Sequence, residues 1–122
     1  VRPRQFVAGD DTVISTTSTS YPTSDQKYFY LALRLADMLS YKLQASVEGY
    51  ISASGQTLTV GVYVDGSLKA EIAFTETSYT VKASAPIDLS TLSPSTTHTV
   101  GIRLKVTGGT GYVRATDFYL VR

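Results

Sequence analysis

Between residues 41 and 53 apolar and polar side chains alternate without a break. Tyr41, Leu43, Ala45, Val47, Gly49, Ile51 and Ala53 share one parity, while Lys42, Gln44, Ser46, Glu48, Tyr50 and Ser52 take the other. A period of two belongs to an extended chain with one buried and one wet face. Leu58, Val60, Val62 and Val64 repeat the pattern, as do Leu68, Ala70, Ile72 and Phe74, and then Val100, Ile102, Leu104 and Val106. A helix needs apolar residues three and four apart, and these segments lack them. One wet face per strand predicts antiparallel sheets.

The same residues predict pairings. A two-residue turn at Ser54-Gly55 sets Val47 opposite Val62, Ile51 opposite Leu58 and Ala45 opposite Val64, so inward meets inward. The next turn, Asp65-Gly66-Ser67, reads as a three-residue loop with Gly66 or Ser67 left-handed. It pairs Val64 with Leu68, Val62 with Ala70, Val60 with Ile72 and Leu58 with Phe74, and a bulge closes it. In the last segment Val113 and Ala115 alternate, but Phe118 and Leu120 change parity. One inserted residue near Thr116-Asp117 restores a single face and pairs Ile102 with Phe118 and Val100 with Leu120. Leu35, Met38 and Leu39 at helical spacing predict one short helical turn after a Tyr28–Leu33 strand.

A faint repeat runs through the chain. Thr17-Ser18-Thr19-Ser20-Tyr21 matches Thr75-Glu76-Thr77-Ser78-Tyr79 at an offset of 58 residues, where Phe29 also meets Ile87. One residue further, Tyr41 to Val47 matches Val100 to Val106. Two similar half-motifs imply a pseudo-twofold sandwich. Residues 1–11, with Pro3, Gly9 and Asp10-Asp11, read as an N-terminal arm outside the core, and residues 12–122 as the sandwich domain.

Composition narrows the function classes. The 122 residues suit one domain. The absence of cysteine excludes a disulfide scaffold, a thiolate zinc site and a thiol nucleophile. A net charge of +1, without clustered Lys and Arg, argues against nucleic acid, and no apolar run is long enough for membrane insertion as a helix. The start lacks the apolar core of a signal peptide and reads as a processed product or a cloned segment. The 31 Ser and Thr residues fall at strand entries and on wet faces, which leans towards an extracellular or virion-surface β-protein.

Candidate chemistry is sparse. The single histidine, His98, opens an alternating strand, and no G-x-S-x-G nucleophile elbow accompanies it, so it reads as a strand-end residue at the core boundary. Glu48 and Glu71 are the best carboxylate pair for glycoside hydrolysis, predicted to flank Gly61 on a solvated face where surface charge is the plainer role. No cofactor is implied, beyond calcium held by Asp10-Asp11 with Asp25 or Asp117. Tyr50 and Tyr63 are predicted outward on adjacent strands, Tyr63 opposite Lys69, with Gly61 leaving a gap. That surface suits a partner protein, a sugar ring or plain cross-strand packing. Arg2, Arg4 and Phe6 with Pro3 form a mildly basic arm able to add a strand to a neighbouring subunit.

The Ser/Thr-rich entries STTSTSY and TETSY, the long alternating strand, the VYVDGS hairpin and the closing GYVRATDFYLVR resemble small jelly-roll modules. Such modules recur in virion structural proteins, extracellular filament subunits and carbohydrate-binding domains. The expected fold is therefore an all-β, antiparallel two-sheet β-sandwich of about 8 strands. The expected function is a non-enzymatic building block of a virion or extracellular assembly. It would self-associate through its arm and sheet edges as a homo-oligomer or with other structural proteins. The alternative is a carbohydrate-binding module that takes a polysaccharide on its outward Tyr residues.

Overall fold

A computed structural model describes residues 4–32, 34–94 and 96–122. Among the described residues, ten strands and one short helix follow in the order β1 (Arg4–Asp10), β2 (Ile14–Thr16), β3 (Lys27–Ala32), α1 (Leu35–Ser40), β4 (Lys42–Ile51), β5 (Leu58–Val64), β6 (Ser67–Phe74), β7 (Thr80–Ala83), β8 (Ile87–Asp88), β9 (Thr97–Val106) and β10 (Gly111–Val121). One sheet has the order β1-β10-β4-β7, with β2 also paired to β10 and β8 to β4. The other has the order β3-β9-β5-β6, and all pairings are antiparallel. The chain is an all-β sandwich, as its periodicity implies.

Alternation does its work in the core. Leu43, Ala45, Val47 and Ile51 of β4 meet Leu58, Val60 and Val62 of β5, Val100, Ile102 and Leu104 of β9, and Phe118 of β10, all fully buried. Burial of this set is the main stabilising term, at roughly 25 cal/mol per Å² of apolar surface removed from water.

The pairing partners differ from expectation. β4 does not form a hairpin with β5. β4 pairs with β10, β7 and β8, whereas β5 pairs with β6 and β9. The segment 52–57 crosses between sheets, so Val47 and Val62 are both inward but lie in opposite sheets. Period-two patterning identifies the buried face of a strand and is blind to which sheet the strand joins. β9 and β10 separate in the same way, and Phe118 and Leu120 pair with Ala45 and Leu43 rather than with β9. The bulge of β10 falls at Arg114-Ala115, which stand between Val113↔Gly49 and Thr116↔Val47, two residues before the expected place.

The β5–β6 turn has two residues rather than three. Asp65 and Gly66 adopt φ of 51° and 80°, and Val64 pairs with Ser67 and Tyr63 with Leu68. Lys69 is the bulged residue that restores Val62↔Ala70, Val60↔Ile72 and Leu58↔Phe74. Asp65 tolerates the left-handed conformation because its carboxylate is anchored on β9, where Oδ1 accepts the Thr99 N–H at 2.9 Å.

Residues 4–10 need the largest revision. They are the edge strand β1, paired with β10 from Arg4↔Val121 to Asp10↔Thr116, and Phe6 packs edge-on against Tyr119 at 5.7 Å. Their apolar residues are too few to show alternation, and a bulge at Val7 breaks what there is. Arg2 lies outside the described residues, as does the side chain of Arg4.

The repeat has a topological counterpart. β3 pairs with β9 and β8 pairs with β4, so exchanging the halves maps one pair onto the other. Tyr21 and Tyr79, 58 residues apart, likewise cap Tyr63 and Tyr50 edge-on at 5.7 Å and 4.6 Å.

Candidate functional site

Tyr50 and Tyr63 share no groove, because their strands belong to different sheets. Tyr50 is half-buried, stacked on Tyr112 at 4.9 Å with an interplanar angle of 17°. The Arg114 guanidinium lies 3.8 Å from the Tyr79 ring and binds Glu48 through two bonds of 2.6 Å and 3.1 Å. That bond pair, ahead of the guanidinium charge, holds the Glu48 carboxyl below its ordinary range. These rings are committed to each other.

Tyr63 is buried, with 7% of its surface exposed. Tyr21 covers it from the segment before β3, and the Arg103 guanidinium lies 4.0 Å from its ring, held by Asp25 at 2.8 Å. The expected gap at Gly61 is filled, since a Cβ there would stand 2.9 Å from both Tyr21 and Tyr63. Burial, reinforced by a hydrogen bond from its hydroxyl to Glu71 at 2.5 Å, pushes the Tyr21 phenol far above its usual range. Lys69 is exposed at the bulge, and Tyr63 stands opposite Leu68 instead.

Two other tyrosines carry the open aromatic surface. On β3, Phe29 and Leu31 point inward, and Phe29 meets Phe118 edge-on at 5.6 Å. Parity therefore turns Tyr28 and Tyr30 outward, 54% and 69% exposed, as a perpendicular pair with centroids 5.7 Å apart and planes at 77°. β3 is an edge strand, so the rings have a neighbour on one side only. There β9 sets Thr99 beside Tyr30, Gly101 beside Tyr28 and Thr97 beside Ala32. Sequence reasoning placed its aromatic site elsewhere, although the Phe29/Leu31 parity was the signal that located this one. The flanking charges are engaged: Asp25 with Arg103, and Asp65 with His98.

His98 sits at the core boundary with both ring nitrogens in use. Nδ1 is 2.6 Å from Asp65 Oδ2, and Nε2 is 2.7 Å from the Ser93 carbonyl and 3.1 Å from Thr96 Oγ1. The Ser93 carbonyl, then Asp65, raise the His98 pKa; burial raises that of Asp65, but the bonds from His98 and Thr99 outweigh it and leave a net lowering. Thr96, His98 and Asp65 superficially resemble a nucleophile-base-acid set. The Nε2–H and the Thr96 hydroxyl both donate to the same Ser93 carbonyl, so no lone pair faces the hydroxyl. Glu48 and Glu71 lie on different sheets, and the expected hydrolytic pair is not brought together.

The calcium expectation divides. Asp25 is taken by Arg103, while Asp10, Asp11 and Asp117 line a hollow of about 350 Å³ with Phe6, Gly9 and Ala115. The ammonium of Lys27 points at this acidic group and donates to the Asp10 carbonyl at 3.0 Å and to the Arg114 carbonyl. Among the described residues no three His, Asp or Glu side chains converge as a metal-holding group. The acids here face a resident cation, and they do not fit a divalent ion.

The fold and its surface define a jelly-roll-like β-sandwich module. No protein-family model matches the chain, and no curated protein does. Solved structures share the fold. The insecticidal delta-endotoxin Cry8Ea1 of Bacillus thuringiensis superposes with a TM-score of 0.61 at 14% identity over 90% of this chain, which spans only 20% of the toxin's length. The carbohydrate-binding module CBM36 in complex with calcium and xylotriose gives 0.51 at 17% identity, covering 94% of this chain and 98% of that one. The sugar-binding C-terminal domain of EclA gives 0.51 at 7% identity, covering 92% and 80%. No helix among the described residues is long and apolar enough to cross a membrane.

Proposed function

We propose that this chain is a non-catalytic binding module of an extracellular or virion-surface protein, and that it holds an uncharged polysaccharide against Tyr28 and Tyr30. The observation that carries the reading is this pair of rings, each more than half exposed on an edge strand beside threonine hydroxyls. A tyrosine ring offers the apolar face on which a pyranose stacks, and hydroxyls beside it suit the sugar's own. Asp25–Arg103 and Asp65–His98 neutralise one another, which favours a neutral glycan over a uronic acid or a sulfated chain. The 77° angle favours a soluble single chain, with one ring flat under a sugar and the other against its edge. A crystalline polysaccharide face calls for coplanar rings. Neighbours of the same fold described as binding xylotriose or sugar make the reading natural.

Affinity electrophoresis through gels containing neutral soluble polysaccharides tests it. Retardation lost in Tyr28→Ala/Tyr30→Ala, with an unchanged melting temperature, supports the proposal. Retention only by crystalline cellulose or chitin overturns the single-chain part, and no retention across the panel overturns the whole.

A building-block role in a virion or extracellular assembly has one specific support. Leu35 and Leu39, four residues apart on α1, are both exposed. Residues 4–10 pair with β10 of their own sheet, which favours an edge strand over an arm offered to a neighbouring subunit. Light scattering at several concentrations separates the roles, since a persistent monomer is expected of the binding module.

A further inference from the structure

Among the described residues no other Lys, Arg, Asp or Glu is as deeply buried as Lys27, which is 5% exposed. It opens β3 in the four-stranded sheet, yet its side chain reaches the six-stranded one. There Nζ donates to the carbonyl of Asp10, the last residue of β1, and to that of Arg114 in the β10 bulge. Arg114 has no partner in the β4 register, which leaves its carbonyl available to the ammonium. Burial lowers the Lys27 pKa below the usual lysine range, and the charges of Asp10, Asp11 and Asp117 around it offset only part of that cost, so the head is held chiefly by the two carbonyls. Backbone carbonyls with carboxylates are the donor set that hard divalent cations take. Here a covalently tethered cation points into it.

We propose that Lys27 is a built-in cation that ties the end of β1 and the β10 bulge to the opposite sheet and makes the fold independent of a divalent metal. The four-carbon stem packs between the sheets while the head satisfies carbonyls that a bulge and a strand end would leave without donors. A lysine suits the place because three of its protons can be shared among several oxygens.

The test melts wild type and Lys27→Met in calcium chloride and in chelator, and follows amide exchange. Methionine keeps the stem and removes the charge. The wild-type midpoint is expected to be the same in both solutions. That of Lys27→Met should fall by about 10 °C. Exchange should quicken in residues 5–10 and 112–117 and stay slow in the β5–β6 ladder. A wild-type midpoint that calcium raises and chelator lowers overturns the proposal, and so does a Lys27→Met protein as stable as wild type. Should Lys27→Met fail to fold, Lys27→Arg decides: a folded protein indifferent to both solutions supports the built-in cation, and a calcium-dependent or unfolded one contradicts it.

Discussion

Replacing His98 by Gln should remove a pH-dependent share of the stability. In the native protein the imidazolium joins Asp65, in the β5–β6 turn, to the Ser93 carbonyl, in the segment before β9, through contacts of 2.6 Å and 2.7 Å. Hydrogen bonds to a charged group contribute about 1.5–3 kcal/mol each. The Asp65 side chain is 43% exposed, so solvent screening puts its bond at the low end, while the His98 side chain itself is only 8% exposed. With both bonds taken at the low end a total of about 3 kcal/mol follows, which is roughly 10 °C in melting temperature for a domain of this size.

The sign is set by the two shifts. His98 is raised above 6.5, so its contribution is complete below that pH and fades as pH rises through the higher folded value. Asp65 is lowered below 3.8, so its part is complete above 3.8 and fades as pH falls through the lower folded value. Between those limits the pair contributes fully. Thermal unfolding of both proteins, followed by tyrosine circular dichroism from pH 4.5 to 9, should show the gap widest near pH 5.5 and shrinking above pH 7. Melting curves that stay parallel across that range would refute the imidazolium pin.

Three further outcomes follow from named contacts. Thr116 is fully buried and, among the described residues, its hydroxyl is the buried side-chain group without a hydrogen-bond partner. Thr116→Val should therefore stabilise the protein by about 1 kcal/mol, read from denaturant midpoints. Deleting residues 1–10 strips β1 from β10 and removes the Asp10 carbonyl from Lys27, so the melting temperature should drop well beyond that of a frayed tail, whereas an unchanged value restores the arm. Arg114→Ala should release Tyr79 from the Tyr50–Tyr112 stack, read as loss of near-ultraviolet dichroism, while glycan binding at Tyr28 and Tyr30 persists.

For β4, β5 and β9, strand identity and the buried face were legible because period-two alternation is local. Leu43 to Ile51, Leu58 to Val64 and Val100 to Val106 needed no tertiary knowledge. Sheet membership was not legible. A turn at Ser54-Gly55 and a crossover through the same residues bury the same side chains, and only the rest of the fold chooses between them. The error carried into function, because placing Tyr50 and Tyr63 on adjacent strands created a groove that two separate sheets do not have. The pair on β3 was hidden differently. Its strand is short and preceded by polar sequence, so two inward residues had to establish parity. Lys27 and β1 had no local signal at all, since an ammonium under a strand end is defined only by the oxygens that other elements bring to it.

Nuclear magnetic resonance tests glycan binding at the Tyr28–Tyr30 edge most directly. Backbone amide shifts of the wild-type chain are followed as the best-retained soluble neutral oligosaccharide is added. Saturable shifts confined to residues 28–31 and 97–101 are expected, and they should be abolished in Tyr30→Ala. Shifts centred on Tyr50 and Tyr112, or none at saturating sugar, would contradict binding at that edge.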